Sequence, residues 1–249
     1  MARKRADVLL IERGLFDSRA RARAAIEAGG VTADGRTVLK AADLVEETAE
    51  ITAAPAHPWV GRGALKLDHA LSLWPIAVID RVVLDVGAST GGFTEVCLKR
   101  GAARVYAVDV GRGQLHPSLK ADARVVDLEG TDARSLDPSV IPSPVDLVVC
   151  DASFIGLAKV LPAALGLAAP GADLVVLVKP QFEVGPAAVG KGGMVKDPAA
   201  REQALADACA FLEASGWSVQ ASADSPIAGG DGNREYLVWA VKLLTSPHA

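Results

Sequence analysis

LDVGASTGGFTE, residues 84–95, decides the fold. An aliphatic run, RVVLDVG (81–87), passes straight into a glycine-bearing turn, and the turn opens a helical stretch, FTEVCLKRG (93–101). A strand covered on both faces reads as such a continuous apolar run. Gly87 permits the tight turn, and Gly91 and Gly92 let the backbone approach a ligand where a Cβ would clash.

Outward from this loop the same alternation continues. RVYAVDVG (104–111), ARVV (123–126), VDLVVCD (145–151) and ADLVVLVKP (172–180) read as further strands. AREQALADACAFLEASG (200–216) reads as a capped helix, and WSVQASADS (217–225) and REYLVWAVKL (234–243) as the last two strands. Upstream, GALKLDHALSLW carries apolar residues at helical spacing. Strands alternating with helices imply an α/β fold, a Rossmann-like, mostly parallel seven-stranded sheet whose last strand runs antiparallel.

Two ligands compete for the loop. Asp109 ends the next strand 22 residues after Gly87, where an acid accepts hydrogen bonds from a ribose. A dinucleotide fold places GxGxxG at this turn so that a pyrophosphate meets the helix N-terminus. Here the loop reads GxSxGGF with Asp85 beside it. An acid there repels a pyrophosphate and suits the cationic, amino-acid-bearing end of S-adenosylmethionine. The methyl donor is the favoured ligand, the dinucleotide the alternative, and a glycine turn without any ligand the plainest reading.

Parallel sheets keep their chemistry at the carboxyl ends of their strands. Asp151 and Lys179 end two of the strands, Glu235 begins the antiparallel one at the same rim, and Lys66 lies one turn into the preceding helix. Lysine is almost never buried without a partner. Two lysines and two acids on one rim fit proton removal from a weakly acidic hydroxyl, because partial burial and a second cation favour a neutral lysine. Lys179 is the expected base and Lys66 the nearby cation, with Asp151 and Glu235 orienting both.

The N-terminal region differs from the rest. Residues 1–40 hold nine Lys/Arg against five Asp/Glu, a net of +4, so that the remainder of a chain of net charge −4 carries −8. A basic head on an acidic body suits contact with phosphates. Residues 4–15 and 19–28 read as short helices, the second capped by Asp17-Ser18. Val31–Ala33 and the Asp34-Gly35 turn read as a hairpin, and residues 41–52 as further strand. Pro55 and Pro58 then mark a junction, giving a small α+β domain over 1–58, a linker over 59–63 and the large domain over 64–249.

No apolar stretch reaches the roughly 18 residues of a membrane span, and the N-terminus lacks the apolar core of a signal peptide. A cytoplasmic protein with no membrane partner is expected. The cysteines Cys97, Cys150 and Cys209 show no ligand spacing, nor do His57, His69, His116 and His248, so no metal site is expected.

VGRGALKL (60–67), LDVGASTGGFTEVCLKRGA (84–102), VCDASFI (149–155), LVKPQFEVG (177–185), GKGGMVKDP (190–198) and SPIAGGDGNREYLVW (225–239) closely resemble the TlyA family of rRNA 2′-O-methyltransferases, also called haemolysin-like. The resemblance spans essentially the whole chain. It implies an FtsJ-like catalytic half whose Lys-Asp-Lys-Glu tetrad falls on Lys66, Asp151, Lys179 and Glu235. It implies S-adenosylmethionine bound by Asp85, Gly87, Ser89, Gly91, Gly92, Phe93, Asp109, Asp132 and Asp151. The N-terminal part resembles an S4-type RNA-binding domain presenting Arg3, Lys4, Arg5, Arg19, Arg21, Arg23 and Lys40 to phosphates. The implied substrate is a cytidine ribose in ribosomal RNA, within a ribosomal subunit. A catalytically silent ribosome-assembly factor, a membrane-active haemolysin and a dinucleotide-dependent oxidoreductase are the competing readings. The intact loop and tetrad, the lack of a span and the lack of GxGxxG weigh against them in turn.

Overall fold

The computed structural model describes residues 2–229 and 232–244; His248 and the Gly230-Asp231 pair of the last motif lie outside the described residues. The chain forms two compact units, Met1–Pro58 and Trp59–Ala249.

In the first unit, strand β1 (Arg3–Arg5) leads into helix α1 (Ala6–Glu12). Helix α2 (Arg19–Glu27) follows, its first turn capped by the Ser18 side chain, which accepts from the Arg21 amide. Strands β2 (Val31–Ala33), β3 (Arg36–Thr37), β4 (Leu44–Glu46) and β5 (Ile51–Ala53) complete it. They make two small antiparallel sheets, β1-β4 and β3-β2-β5. Asp34 and Gly35, with φ of 48° and 74°, form the tight turn between β2 and β3. Leu9, Leu10, Phe16, Ala22, Ile26 and Val31 are buried in a core of the unit's own.

Two sequence readings change here. Lys4 and Arg5 were expected inside the first helix, yet Arg3–Arg5 pairs with Glu46–Leu44 as strand. Residues 41–52 were expected as one strand, yet β4 and β5 are separate and join different sheets. The Arg13 guanidinium donates to the carbonyls of Glu47 and Ala49, which holds the turn between them.

In the second unit, helix α3 (Ala64–Leu73) precedes strand β6 (Val82–Val86), helix α4 (Gly92–Lys99) and strand β7 (Arg104–Asp109). Helix α5 (Pro117–Lys120), strands β8 (Val125–Glu129) and β9 (Val145–Cys150), and helices α6 (Leu157–Val160) and α7 (Pro162–Leu167) follow. Strand β10 (Ala168–Val178), helices α8 (Pro180–Glu183) and α9 (Pro198–Ala214), and strands β11 (Trp217–Asp224) and β12 (Tyr236–Lys242) end it. Residues 59–63 pack on α4: the Val60 amide donates to Glu95 at 2.7 Å, and Lys99 lies 4.3 Å above the Trp59 ring.

Seven strands form one sheet in the order β11-β12-β10-β9-β6-β7-β8. β10, β9, β6, β7 and β8 are parallel, and β12 is antiparallel to both of its neighbours. Successive residues of a strand face opposite sides. Leu84, Val86, Val148 and Val176 therefore enter the core beneath α6, α7 and α9, and Val83, Leu147, Val149 and Val175 enter the core beneath α3 and α4. β8 lies two residues later than the sequence suggests. It is an edge strand paired only with β7, so its Asp127 and Glu129 break the apolar run that marks an interior strand. The strand order reverses between β6 and β9, where an α/β sheet opens a crevice at its carboxyl ends. Among the described residues no helix is long and apolar enough to cross a membrane.

Two buried acids set the pH response of the units. Asp7, in the first turn of α1, is fully buried beneath Arg5, whose guanidinium donates to both carboxylate oxygens at 3.0 and 3.1 Å, and Arg19, which donates at 2.7 Å. Its hydrogen bonds from Arg5, then those from Arg19, hold the Asp7 carboxyl well below the usual carboxylate range. A depressed pKa adds stability that is present above about pH 4 and lost as the pH falls toward the folded-state value. Asp7→Asn is expected to lower hydrogen-exchange protection of α1 and α2 by about 1–3 kcal/mol at pH 7, and wild-type protection should fall in acid. Unchanged protection would remove the pair from the unit's stability. Asp85 behaves oppositely. Burial of its side chain in β6 outweighs the hydrogen bonds from Thr94 and pushes it up to about 7. The folded unit then holds a proton that the unfolded chain has released, so stability falls as the pH rises from about 4 to about 7. Asp85→Asn should reduce that slope in denaturant titrations of the tryptophan signal, leaving the part due to Glu183, which burial also raises; an identical slope in the variant would contradict the assignment.

Candidate active site and basic surface

Four elements aim side chains at the crevice. Asp151 follows β9 directly and Lys179 follows β10, while Glu235 stands immediately before β12 and Lys66 sits in the first turn of α3. Their side chains meet. The Lys179 Nζ lies 2.7 Å from Asp151 Oδ1, and the Lys66 Nζ lies 3.6 Å from Asp151 Oδ2 and 2.6 Å from Glu235 Oε2. Lys66 and Lys179 are each 6 % exposed and Glu235 is 3 % exposed. Two ammonium groups and two carboxylates thus neutralise one another in a nearly closed space, where a lone charge would cost several kcal/mol.

Lys179 has two further partners. Its Nζ donates to the Asp151 carbonyl at 3.0 Å and to Ser153 Oγ at 2.7 Å. Two hydrogens of the ammonium are thereby committed, and its charge is paired with Asp151 Oδ1. A hydroxyl can donate as well as accept, so Ser153 can turn its hydrogen toward a neutral amine where the carbonyl cannot. Sequence reasoning passed over Ser153, two positions after the strand-ending acid.

Two cavities adjoin at this cluster. One, of about 320 Å³, is lined by Lys66, Phe93, Asp151, Lys179, Gln181 and Glu235 among others. The second, of about 480 Å³, is lined by Asp109, Gln114, Asp132, Arg134 and Ile155. Gly87, Ser89, Asp151, Ser153 and Phe154 line both. Ser89 takes a left-handed φ of 48° in this wall, its amide donating to Asp109 Oδ2 at 2.8 Å. The other Asp109 oxygen accepts from the Gly111 amide at 2.7 Å. Both Asp132 oxygens accept from the Arg134 guanidinium, which pulls that carboxyl down to about 2.

The glycines act differently from the expectation. A Cβ on Gly91 would strike Leu115 and Leu119, and one on Gly92 would sit 2.9 Å from the Ala64 amide. A Cβ on Gly87 would sit 2.9 Å from Ala152. The close approach these residues permit is therefore of chain to chain, although Gly87 and Gly92 also line cavities. Gly91 and Asp85 line neither; Asp85 is fully buried and accepts from Thr94 Oγ1 at 2.7 Å. Two glycines outside the loop serve the tetrad itself. A Cβ on Gly63 would lie 3.1 Å from Asp151 Oδ2, and one on Gly229 would lie 2.5 Å from Glu235 Oε1.

Phe154 is the most exposed feature of the rim. It is 88 % exposed, holds a left-handed φ of 67° and packs on Phe182 with ring centroids 5.2 Å apart. A bulky residue held in that conformation is uncommon, and such residues gather at functional sites. Phe154, Gln181 and Phe182 stand three or four positions beyond the ends of β9 and β10, and no sequence signal singled them out.

In the first unit the expected basic residues divide. Arg3 pairs with Glu46, Lys4 with Glu12 and Glu47, Arg5 and Arg19 with Asp7, and Arg21 with Asp17. Arg23 and Lys40 are exposed and make no side-chain ion pair among the described residues. Nor do the described residues include any His/Cys/Asp/Glu group able to hold a metal ion.

Residues 59–242 match the FtsJ-like methyltransferase family, and residues 4–51 match the S4 domain. The chain is 50% identical over 242 residues to the 16S/23S rRNA (cytidine-2′-O)-methyltransferase TlyA of Mycobacterium tuberculosis, covering 96% of this chain and 90% of that protein. It is 37% identical over 188 residues to the 23S rRNA (cytidine-2′-O)-methyltransferase TlyA of Campylobacter jejuni, covering 74% and 71%. A solved structure from Streptococcus thermophilus that bears a hemolysin name superposes with a TM-score of 0.77 at 38% identity, covering 98% of this chain and 90% of that one. With its paired lysines and acids set at the rim of a class I methyltransferase sheet, the chain belongs to the TlyA family of rRNA methyltransferases, an S4 domain joined to an FtsJ-like catalytic domain.

Proposed function

We propose that this protein methylates the 2′-hydroxyl of a cytidine ribose in ribosomal RNA, with S-adenosylmethionine as methyl donor. The observation that carries the reading is the placement of Lys179 Nζ, fixed by Asp151 and Ser153 in the cavity that adjoins the acid-lined one. The donor set fits S-adenosylmethionine. Asp109 suits its ribose hydroxyls, Asp132 the amino edge of its adenine and Asp151 its cationic end. When bound, that group supplies an electrophilic methyl carbon.

The chain's own residues do the rest. Lys179, once its ammonium has released a proton to solvent, accepts the proton of the 2′-hydroxyl at Nζ, with Ser153 Oγ donating to the neutral amine before that transfer. Asp151 fixes the lysine through its Oδ1, and Lys66, held by Glu235, fixes Asp151 through Oδ2. With Lys179 neutral the four side chains sum to −1, which complements a sulfonium cation. Once Lys179 holds the hydroxyl proton they sum to zero, so no net charge is stranded in the site. Positioning of this kind contributes several kcal/mol to a group transfer. Phe154, exposed on the rim and braced by Phe182, offers a face on which an unstacked base can lie.

The basic unit supplies affinity through phosphate contacts, which hold RNA without reading its sequence. The cations already tied to acids are the frame of that surface, and Arg23, Arg36 and Lys40 are exposed charges of the unit without an ion pair among the described residues.

Lys179→Ala is expected to lower methyl transfer to ribosomal subunits at least 10³-fold, while calorimetric S-adenosylmethionine binding changes less than threefold. Normal turnover in the variant would remove Lys179 as the base. Arg23→Glu with Lys40→Glu should weaken subunit binding and reduce the slope of log K against log salt by about one per lost phosphate contact. An unchanged slope would place the RNA footprint on other residues.

A further inference from the structure

Gln181 has no place in the chemistry above, and its surroundings give it one. It sits in the four-residue helix α8, two positions after Lys179 and directly before Phe182. Its side chain lines the same cavity as the tetrad. Its carboxamide makes no hydrogen bond to the described residues, and its Oε1 is enclosed and without a partner. Buried polar atoms are almost always hydrogen-bonded. Asp151 Oδ1 and Glu235 Oε2 in the same wall have ion-pair partners, whereas Gln181 Oε1 has none and calls for a partner that arrives with the reaction. The Lys179 ammonium next to it is occupied by Asp151 and Ser153.

The geometry points to Gln181 as the residue that reads the base of the target nucleotide, its Oε1 accepting from the exocyclic amino group of cytosine and its Nε2 donating to the ring nitrogen beside it. This rests on the proposed ribose methylation. Two features favour the base over the ribose. The ribose must lie at Lys179, where the hydroxyl proton is taken. Phe182, next in the chain to Gln181, braces the exposed Phe154 ring, so a base stacked on that pair presents its edge to Gln181. Cytosine offers a donor and an acceptor on that edge, and a primary amide is complementary to both. Uracil offers the reverse order. Gln181 matches it only with its amide turned over, Nε2 then facing the place of the cytosine amino group. A site built around such hydrogen bonds rejects the analogue that leaves them unmade.

The test uses the full chain and ribosomal subunits. Methyl transfer is measured on a subunit whose mapped target is cytidine and on one reconstituted with uridine at that position, with wild type and Gln181→Leu. Wild type should prefer cytidine by about 10-fold or more. Gln181→Leu should lose about 10-fold or more in kcat/KM on cytidine, retain its activity on uridine and bind S-adenosylmethionine as wild type does. If Gln181→Leu does not fold, Gln181→Met, of nearly the same length, is measured in its place with the same expectation. An undiminished preference for cytidine in the variant, or an equal loss on both bases, overturns the assignment. Absence of ribose methylation by the wild type would instead overturn the proposed function, and the base-reading role with it.

Discussion

Asp151 is shared by two lysines. One oxygen meets Lys179 at 2.7 Å, the other faces Lys66 at 3.6 Å, and Lys66 is completed by Glu235 at 2.6 Å. Each member is tolerable in a nearly closed space because the next one cancels its charge, and removal of one partner leaves an uncompensated ion. The four residues come from the ends of β9 and β10, the approach to β12 and the first turn of α3. Holding them within hydrogen-bond reach requires the whole sheet order, since β12 has to insert antiparallel beside β10 to bring Glu235 to the rim where the parallel strands end.

Close approach of main chain does the fine positioning. Gly63 leaves room for the Asp151 carboxylate and Gly229 for that of Glu235, and Gly87 allows the β6 loop to touch the segment after β9. The loop therefore sits tight against the strand end that carries Asp151, and the two cavities share that contact as a common wall. In the proposed function these are the pockets of the methyl donor and the accepting hydroxyl, and their meeting at one carboxylate suits an in-line transfer.

The sheet and its rim were legible because they are carried by strong, local patterns. Interior strands read as aliphatic runs, and a lysine or aspartate directly after such a run has no reason to be there unless it is paired. The edge strand β8 was misplaced because pairing on one side only leaves Asp127 exposed and lets Glu129 accept from Lys120 and the Leu115 amide, and the apolar run is lost. The first unit was harder. A three-residue basic strand, Arg3–Arg5, carries no periodicity, and what makes it a strand is its pairing with Leu44–Glu46 some forty residues away. The same holds for Asp7, whose two arginine partners turn expected RNA contacts into internal ion pairs. The turn at Gly87 was legible, whereas the positive φ at Gly91, read as a close approach to a ligand, and what the missing Cβ atoms face are properties of the packed fold. Gln181 was invisible for a related reason: an unpaired amide is defined by neighbours that the sequence does not list in order.

The account stands on the claim that the rim delivers a methyl group to ribose oxygen. Nucleoside mass spectrometry of ribosomal RNA, after subunits are incubated with the protein and isotopically labelled S-adenosylmethionine, tests this most directly. The account predicts label in 2′-O-methylcytidine. Label confined to a base-methylated nucleoside, or no label in RNA from subunits that bind the protein, would contradict it.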